Sequence, residues 1–332
     1  MKTTEQLSRA LVLLAASCVP LMGAGRVFAR GFIATVPVGN VGNAADPSTG
    51  FGAVNYAYSI GEYDVTPDQY TAFLNAVAAS DPYGVYNTTM ESDSNMSGTT
   101  SGDPGIIRNG SPGSYTYTVT GGRGNYPVTD VTFWDATRFA NWLDNGQPTG
   151  PEGPGTTETG AYTLTPDGIA NNTVTRNASA KWALPSENEW YKAAYYTPTL
   201  NAGTGGYWLY PTQSNTISAA QADYYDPPTN EGTDTTPVGS YPYPSYYGTY
   251  DQGGDAFQWN ESIYYTSSRG VRGGEFDVGS NDIESSDAGN TSPTDNEDFI
   301  GFRVVEVPEP ASLGILAVGL SALLLRRKAE RK

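Results

Sequence analysis

The residue types that carry most protein chemistry are nearly missing from this chain. Its 332 residues include no His and a single Cys, Cys18. Without imidazole there is no Ser-His-Asp triad, no His-ligated zinc or iron, and no side chain whose ordinary titration falls near neutral pH. Cys18 sits in an apolar N-terminal stretch, so the remainder has no disulfide, no CxxC and no thiolate metal site. What is left is oxygen and aromatic chemistry. Glu62 and Asp64 have the types of a glycosidase carboxylate pair, but two acids at strand spacing are common and no second partner is placed. Ser186 and Glu189 stand three apart, the spacing of reciprocal helix caps. Arg272 and Arg303 read as braces of the core. The run from Tyr241 to Tyr250, with Tyr264 and Tyr265, offers either an aromatic platform for sugar rings or packing for irregular loops.

Few long elements can position these groups, because 39 Gly and 23 Pro interrupt the chain. Three helices are expected. Thr66-Pro67-Asp68-Gln69 supplies a cap, a first-turn Pro and a capping-box Gln, and Tyr70, Phe73, Leu74 and Val77 then share a face. Thr132 opens a second helix with Ala136, Phe139, Ala140 and Leu143 inward and Gly146 as its stop. Ser186 and Glu189 cap a third, running from Trp190 to about Tyr196. Tyr115, Tyr117 and Val119 alternate as a strand, whereas segments 88–114 and 145–160 read as polar surface loops. There is no internal repeat.

Both ends look like addresses. Residues 1–29 combine Lys2 and Arg9, the apolar run Ala10 to Ala24 and Val27-Phe28-Ala29, a secretory signal cut after Ala29. A lipoprotein reading of Leu14 to Cys18 is weaker, since Ala15 is a poor residue three before the Cys. Residues 307–332 carry Pro308-Glu309-Pro310, an uncharged run from Ala311 to Leu325 and then Arg326-Arg327-Lys328. Fifteen residues make a helix of roughly 22 Å, short of the ~30 Å hydrocarbon core, and flanking cations snorkel to cover part of the difference. The set resembles a PEP-CTERM sorting signal. That implies anchoring through 311–325 before an exosortase-type membrane protease cuts near Pro308 to Pro310, delivering the body to the cell surface or exopolysaccharide; a plain C-terminal anchor is the alternative. The body, 30–306, holds ten basic and thirty-two acidic residues, a net of −22. Such a charge repels nucleic acid and anionic lipid, and favours divalent cations or neutral and cationic partners.

Within the body, short motifs follow one another in a telling order. Ile60 to Thr66 is followed by Gln69-Tyr70 and Phe73-Leu74, and Pro127 to Thr132 by Asp135-Ala136 and Phe139 to Leu143. Then come Leu184 to Trp190, Thr236 to Ser240, Tyr250 to Trp259, Arg272-Gly273-Gly274 and Gly301-Phe302-Arg303. The series resembles the formylglycine-generating enzyme (sulfatase-modifying factor) family from about residue 50 to 305. The resemblance implies one α+β domain with an irregular, C-type-lectin-like core of few short helices and short antiparallel strands.

That family's founding activity oxidises a substrate Cys to formylglycine with oxygen and copper(I), held by two Cys between the Arg-Gly-Gly and Gly-Phe-Arg motifs. Copper(I) prefers such soft ligands. Here Glu275 to Ile300 contains no Cys and Val304 follows Arg303, so copper is not expected. The iron branch of the family needs His, which the chain lacks. The resemblance also implies structural calcium, held by Asp251, the backbone carbonyls of Gly254 and Ala256, and Gln258. Asp251 stands where Asn is usual and Gln258 where Glu is usual. A second calcium would map onto Asp223 and the carbonyl of Tyr224, completed by Asn230 or Asp234. Oxygens of this kind suit calcium. The expectation is therefore an exported, non-catalytic binding module whose partner is extracellular polysaccharide or a surface protein. The alternative is a protein-modifying oxidoreductase with a non-standard or partner-supplied metal site.

Overall fold

The computed structural model describes residues 32–91, 105–119, 121–230 and 232–308. Ala29, Glu309, Pro310, the run 311–325 and residues 92–104 lie outside the described residues; Pro308 is described and exposed. The caps nucleate helices where they stand. Thr66 and Gln69 exchange hydrogen bonds at the start of α1 (Pro67–Val77), and Thr132 and Asp135 do so at α2 (Phe133–Asp144). Thr165 caps the five-residue α3 (Pro166–Ala170), too short to show a period in sequence. Ser186 and Glu189 cap α4 (Glu187–Tyr195), which starts directly after its cap, three residues before Trp190. Each such cap is worth about 1 kcal/mol.

Two four-stranded sheets hold the helices. In the first, β1 (Thr35–Val38), β2 (Tyr58–Gly61), β12 (Val305–Glu306) and β5 (Trp182–Ala183) lie side by side in that order, all antiparallel. The N-terminal strands and the last strand of the domain thus meet. In the second, the order is β10 (Gly289–Thr291), β9 (Ser268–Arg272), β8 (Phe257–Tyr264) and β11 (Ile300–Gly301). There β11 runs parallel to β8, pairing Gly301 with Gln258. Two hairpins complete the pattern: β3 (Ile106–Asn109) with β4 (Thr116–Val119), and β6 (Tyr196–Thr197) with β7 (Gly206–Tyr207). Between α1, α2 and the 302 strand end lies an aromatic core. Tyr70 stacks on Phe139 at 5.9 Å, and Phe139 meets Phe73 and Phe302 edge-on at 5.5 and 5.3 Å.

Two expectations are corrected. Segment 88–114 is not all loop: Met90 is buried in a 3-10 turn, and Ile106 is buried in β3 against β4. Segment 145–160 is irregular but not simply superficial. It lies over the outer face of α2, so every residue from Phe133 to Leu143 is buried, including Arg138 and Asn141. Asn141 donates to Thr157 O (2.6 Å) and accepts from Tyr162 N (2.7 Å), while Arg138 pairs with Glu158 at 2.7 Å. A polar helix face looks solvated in sequence, yet here polar loop backbone satisfies it.

The same loop buries Glu152, whose Oε2 accepts from Tyr83 N (3.1 Å) while Oε1 has no partner. Burial, with repulsion from Asp81, pushes its carboxyl up from 4.5 to about 7. Folding therefore opposes ionisation. Stability is undiminished below the unfolded value, falls as pH rises between the two, and stays lowered above about 7. Glu152→Gln keeps the acceptor for Tyr83 and removes the charge. It is expected to match the wild type near pH 4 and to exceed it by about 2 kcal/mol at pH 8, after allowance for solvent screening, in urea titrations. Equal stabilities at pH 8 would show the carboxylate to be solvated.

Candidate functional site

The residues singled out around 251–258 are positioned by β8. Gln258, one residue into that strand, pairs across the sheet with both Arg272 and Gly301. Two residues beyond Gly301, Arg303 turns its guanidinium back into the space behind Gln258. Both side chains are fully buried. Gln258 Oε1 accepts from Trp190 Nε1 (2.7 Å) and Arg303 Nε (2.6 Å), which fixes its amide nitrogen toward Asp251 O (2.7 Å) and Asp64 Oδ2 (3.3 Å). Arg303 also donates to Asp64 Oδ2 (3.0 Å), Tyr250 O (2.9 Å) and Gly61 O (2.9 Å).

In this corner Gln258 itself has no oxygen to spare for a cation, while Asp64 Oδ1 is buried without a hydrogen-bond partner among the described residues. Gln258 has one oxygen, already occupied by two donors, and turns an N–H toward the Asp251 carbonyl. Arg303 supplies the positive charge and ties the 250 loop to β2. Asp64 is ion-paired through Oδ2, and burial still pushes its carboxyl up to about 7 against the pull of Arg303. Arg272 is a brace of the same kind. It pairs with Glu187 at 2.6 Å and donates to the carbonyls of Ser285 and Asp287, anchoring the interval that follows it.

The neighbouring corner brings three carboxylates together. Asp251, Asp255 and Asp223 line one cavity of ≈ 10 Å³, room for a single water-sized guest. Asp251 Oδ2 accepts from Gly239 N (2.7 Å), Asp255 Oδ1 from Thr236 N (2.7 Å) and Asp223 Oδ1 from Asn230 Nδ2 (2.6 Å). Among the described residues Asp223 Oδ2 and Asp255 Oδ2 are buried without a hydrogen-bond partner of good geometry, and the Tyr241 hydroxyl lies beside Asp223. Thr212, on the same wall, has an unpartnered hydroxyl. Burial pushes the Asp223 and Asp251 carboxyls up to about 6, and burial with repulsion from Asp251 and Asp223 drives Asp255 well upward. Three interior carboxylates need neutralising, by protons or by a cation.

The structure thus brings Asp223 and Asp251, assigned in sequence to two separate sites, to one cavity and adds Asp255, which sequence reasoning missed. Gly254 lies between them: its Cα faces Asp223 O, and its N–H donates to Gly273 O (2.8 Å). Ala256 is buried where β8 begins, and Tyr224 packs with Tyr210, Ala222 and Ile283. Of the two completing candidates, Asn230 reaches Asp223, whereas Asp234 is paired with Arg123 at 2.8 Å. Among the described residues no three His, Cys, Asp or Glu are grouped as a ready-made metal centre. A calcium here would occupy that single-guest space and draw its oxygens from the carboxylates and carbonyls already lining it.

A third network also escaped the sequence reading. Glu189, besides capping α4, pairs with Arg176 at 2.7 Å, and Arg176 pairs with Glu261 at 2.8 Å. Tyr56 donates to Glu189 (2.7 Å) and Tyr162 to Glu261 (2.5 Å). The available signal was scarcity, since a body with ten cations places six of its seven described arginines in ion pairs. The tyrosine run does not form one platform. Tyr250 stacks on Tyr63 at 5.3 Å, Tyr246 and Tyr247 meet edge-on at 5.2 Å, and Tyr265 stands alone, 84% exposed.

Residues 35–307 match the family model described as the sulfatase-modifying factor enzyme 1-like domain. Residues 306–328 match the PEP-CTERM protein-sorting motif, which implies export and handling by an exosortase-type sorting system. No curated protein matches the chain. Among solved structures, the crystal structure of CarF is similar, at 21% identity and a TM-score of 0.53, over 83% of this chain and 99% of that one. Treponema denticola variable protein 1 is similar at 20% identity and a TM-score of 0.54, over 83% of this chain and 95% of that one. At such identities the likeness bears on fold alone, and the fold is the α+β, C-type-lectin-like arrangement that the motif order implied.

Proposed function

Because this chain belongs to the sulfatase-modifying factor enzyme 1-like domain family yet lacks that family's copper ligands, we propose that it is an exported, non-catalytic binding module. Its tail would deliver it to the cell surface or extracellular matrix, where it engages polysaccharide or another secreted protein. One observation carries the reading. The interval from Glu275 to Ile300, where the resemblance puts a thiolate pair, contains no Cys, and the chain contains no His. Arg272 holds that interval through the carbonyls of Ser285 and Asp287, and Val304 is buried as plain core. Hard oxygen donors do not hold copper(I).

Calcium belongs to the same proposal, at the Asp223–Asp255 cavity and as an ordering ion. Its support is the gathering of three buried carboxylates in one cavity, two of them with an oxygen that has no partner of good geometry among the described residues. Calcium at a hundred times its Kd would stabilise by about 2.7 kcal/mol. Asp255→Asn should raise stability in chelator, by removing repulsion, and abolish the calcium response.

The test is co-sedimentation of the intact protein with the producing organism's extracellular polysaccharide, with calcium or with chelator. Saturable binding that weakens in chelator is the expected result. No binding in either condition, together with tight copper binding or conversion of a Cys-containing peptide, would overturn the reading in favour of a modifying oxidoreductase.

A further inference from the structure

A second opening lies away from the carboxylates, between the segment before β2 and the start of α4. It is a cleft of ≈ 440 Å³, in the range of small-molecule sites, and none of the residues lining it is charged. In a body of net −22 this is a notable exception. Its polar groups have capacity left over. Asn188 Oδ1 accepts from Gly52 N (2.8 Å), which fixes the amide orientation and leaves both Nδ2 hydrogens without a partner among the described residues. Ser186 Oγ accepts from Glu189 N (3.3 Å) and keeps its own hydrogen. Asn55 is exposed on the rim beside Ala53.

Tyr56 gives the cleft a fixed aromatic wall. Its hydroxyl donates to Glu189 Oε1 (2.7 Å), and its ring meets Tyr58 edge-on at 6.2 Å. Burial works against Glu189's charge, but Arg176 beside it outweighs burial and holds the carboxyl below its usual range. The tyrosine is thus a committed donor inward while it also lines the cleft. Asn43, also in the lining, is held by donating to Gly52 O (2.7 Å) and Tyr207 Oη (2.7 Å).

We propose that this cleft binds a neutral sugar unit of an extracellular polysaccharide. Hydroxyls that both donate and accept suit amides and a serine, and the apolar face of a pyranose suits a fixed tyrosine ring. Anions are repelled by the surrounding charge, and cations find no carboxylate among the lining residues. The inference rests on the matrix-binding reading above and names its site.

The test is calorimetric titration of the intact protein with neutral oligosaccharides (glucan, galactan and mannan fragments), polygalacturonate fragments and a Cys-containing peptide. Two variants leave every hydrogen bond described here in place: Ala53→Trp, which fills the mouth, and Asn55→Ala. A neutral oligosaccharide should bind saturably, weaken at least tenfold with Ala53→Trp and several-fold with Asn55→Ala, and outcompete polygalacturonate. Neutral sugar binding that Ala53→Trp leaves unchanged overturns the cleft while the matrix reading stands. Binding of peptide alone, blocked by Ala53→Trp, overturns the sugar assignment. Absence of binding to any oligosaccharide and to the whole polysaccharide removes both.

Discussion

Arg303→Met is expected to leave the domain unfolded or molten at room temperature. The guanidinium is fully buried and reaches Gln258, Asp64, Gly61 O and Tyr250 O within 2.6–3.0 Å. Removing one partner of a buried ion pair costs about 3–5 kcal/mol, and each acceptor left dry adds about 1–3. The sum reaches the whole stability of an ordinary domain, about 5–15 kcal/mol. Arg303→Lys keeps the charge but has one ammonium for acceptors on three sides of a planar fork, so it should fall between. The double variant Asp64→Asn with Arg303→Met no longer buries a lone carboxylate and should recover part of the loss. Near-ultraviolet circular dichroism and urea titration read all three. An Arg303→Met protein within a few degrees of the wild-type melting temperature would show that water takes over the guanidinium's role.

That network explains what sequence could and could not disclose. Helix starts were legible because each cap is local: Thr66, Thr132 and Ser186 act on residues three positions away. The motif order was legible for the same reason, each piece being contiguous. Arg303 and Asp64 are 239 positions apart, and Gln258 and Asp64 are 194 apart, so only the folded chain shows that they meet. Gln258 was read as an oxygen donor standing in for Glu. In the folded chain its amide N–H donates to the Asp251 carbonyl and Asp64, contacts that a carboxylate could not make. Asp255 went unnoticed since an acid in a Gly-rich stretch looks like a turn residue, and it does adopt a turn-like φ of 66°. Its burial depends on Asp223, which the sequence places thirty-two residues away. The 145–160 loop failed for a related reason. Polar composition suggests exposure, whereas its carbonyls and Glu158 satisfy the polar face of α2.

Gly254→Ala is the second substitution with a large expected effect, and it probes the carboxylate cavity through backbone alone. Gly254 has φ +78°, and a Cβ built there would lie 1.9 Å from Asp223 O and 2.8 Å from its carbonyl carbon. No side-chain rotation relieves that contact, because both atoms belong to the Asp223 backbone. The neighbouring bond from Asp255 N to Asp223 O (2.9 Å) holds the two segments together, so relief must separate them and shift Asp223 Oδ2 from Asp255 Oδ2. A left-handed backbone costs a non-glycine residue about 1–2 kcal/mol and overpacking about 1–3 more, giving about 2–5 together. Gly146→Ala is the matched control: φ is +81° and nothing lies within 4 Å of its Cβ position, so it should cost only the backbone share. The excess of one over the other, read by urea titration, measures the contact between Gly254 and Asp223. Calcium supplies an independent readout. If the ion sits between Asp223 and Asp255, Gly146→Ala keeps the calcium-dependent rise in melting temperature and Gly254→Ala loses it. Equal costs in the two variants would mean that the 223 segment yields freely and that the cavity is not held at a fixed width. A fixed width is what two buried carboxylates need if they are to select one small ion over a pair of protons.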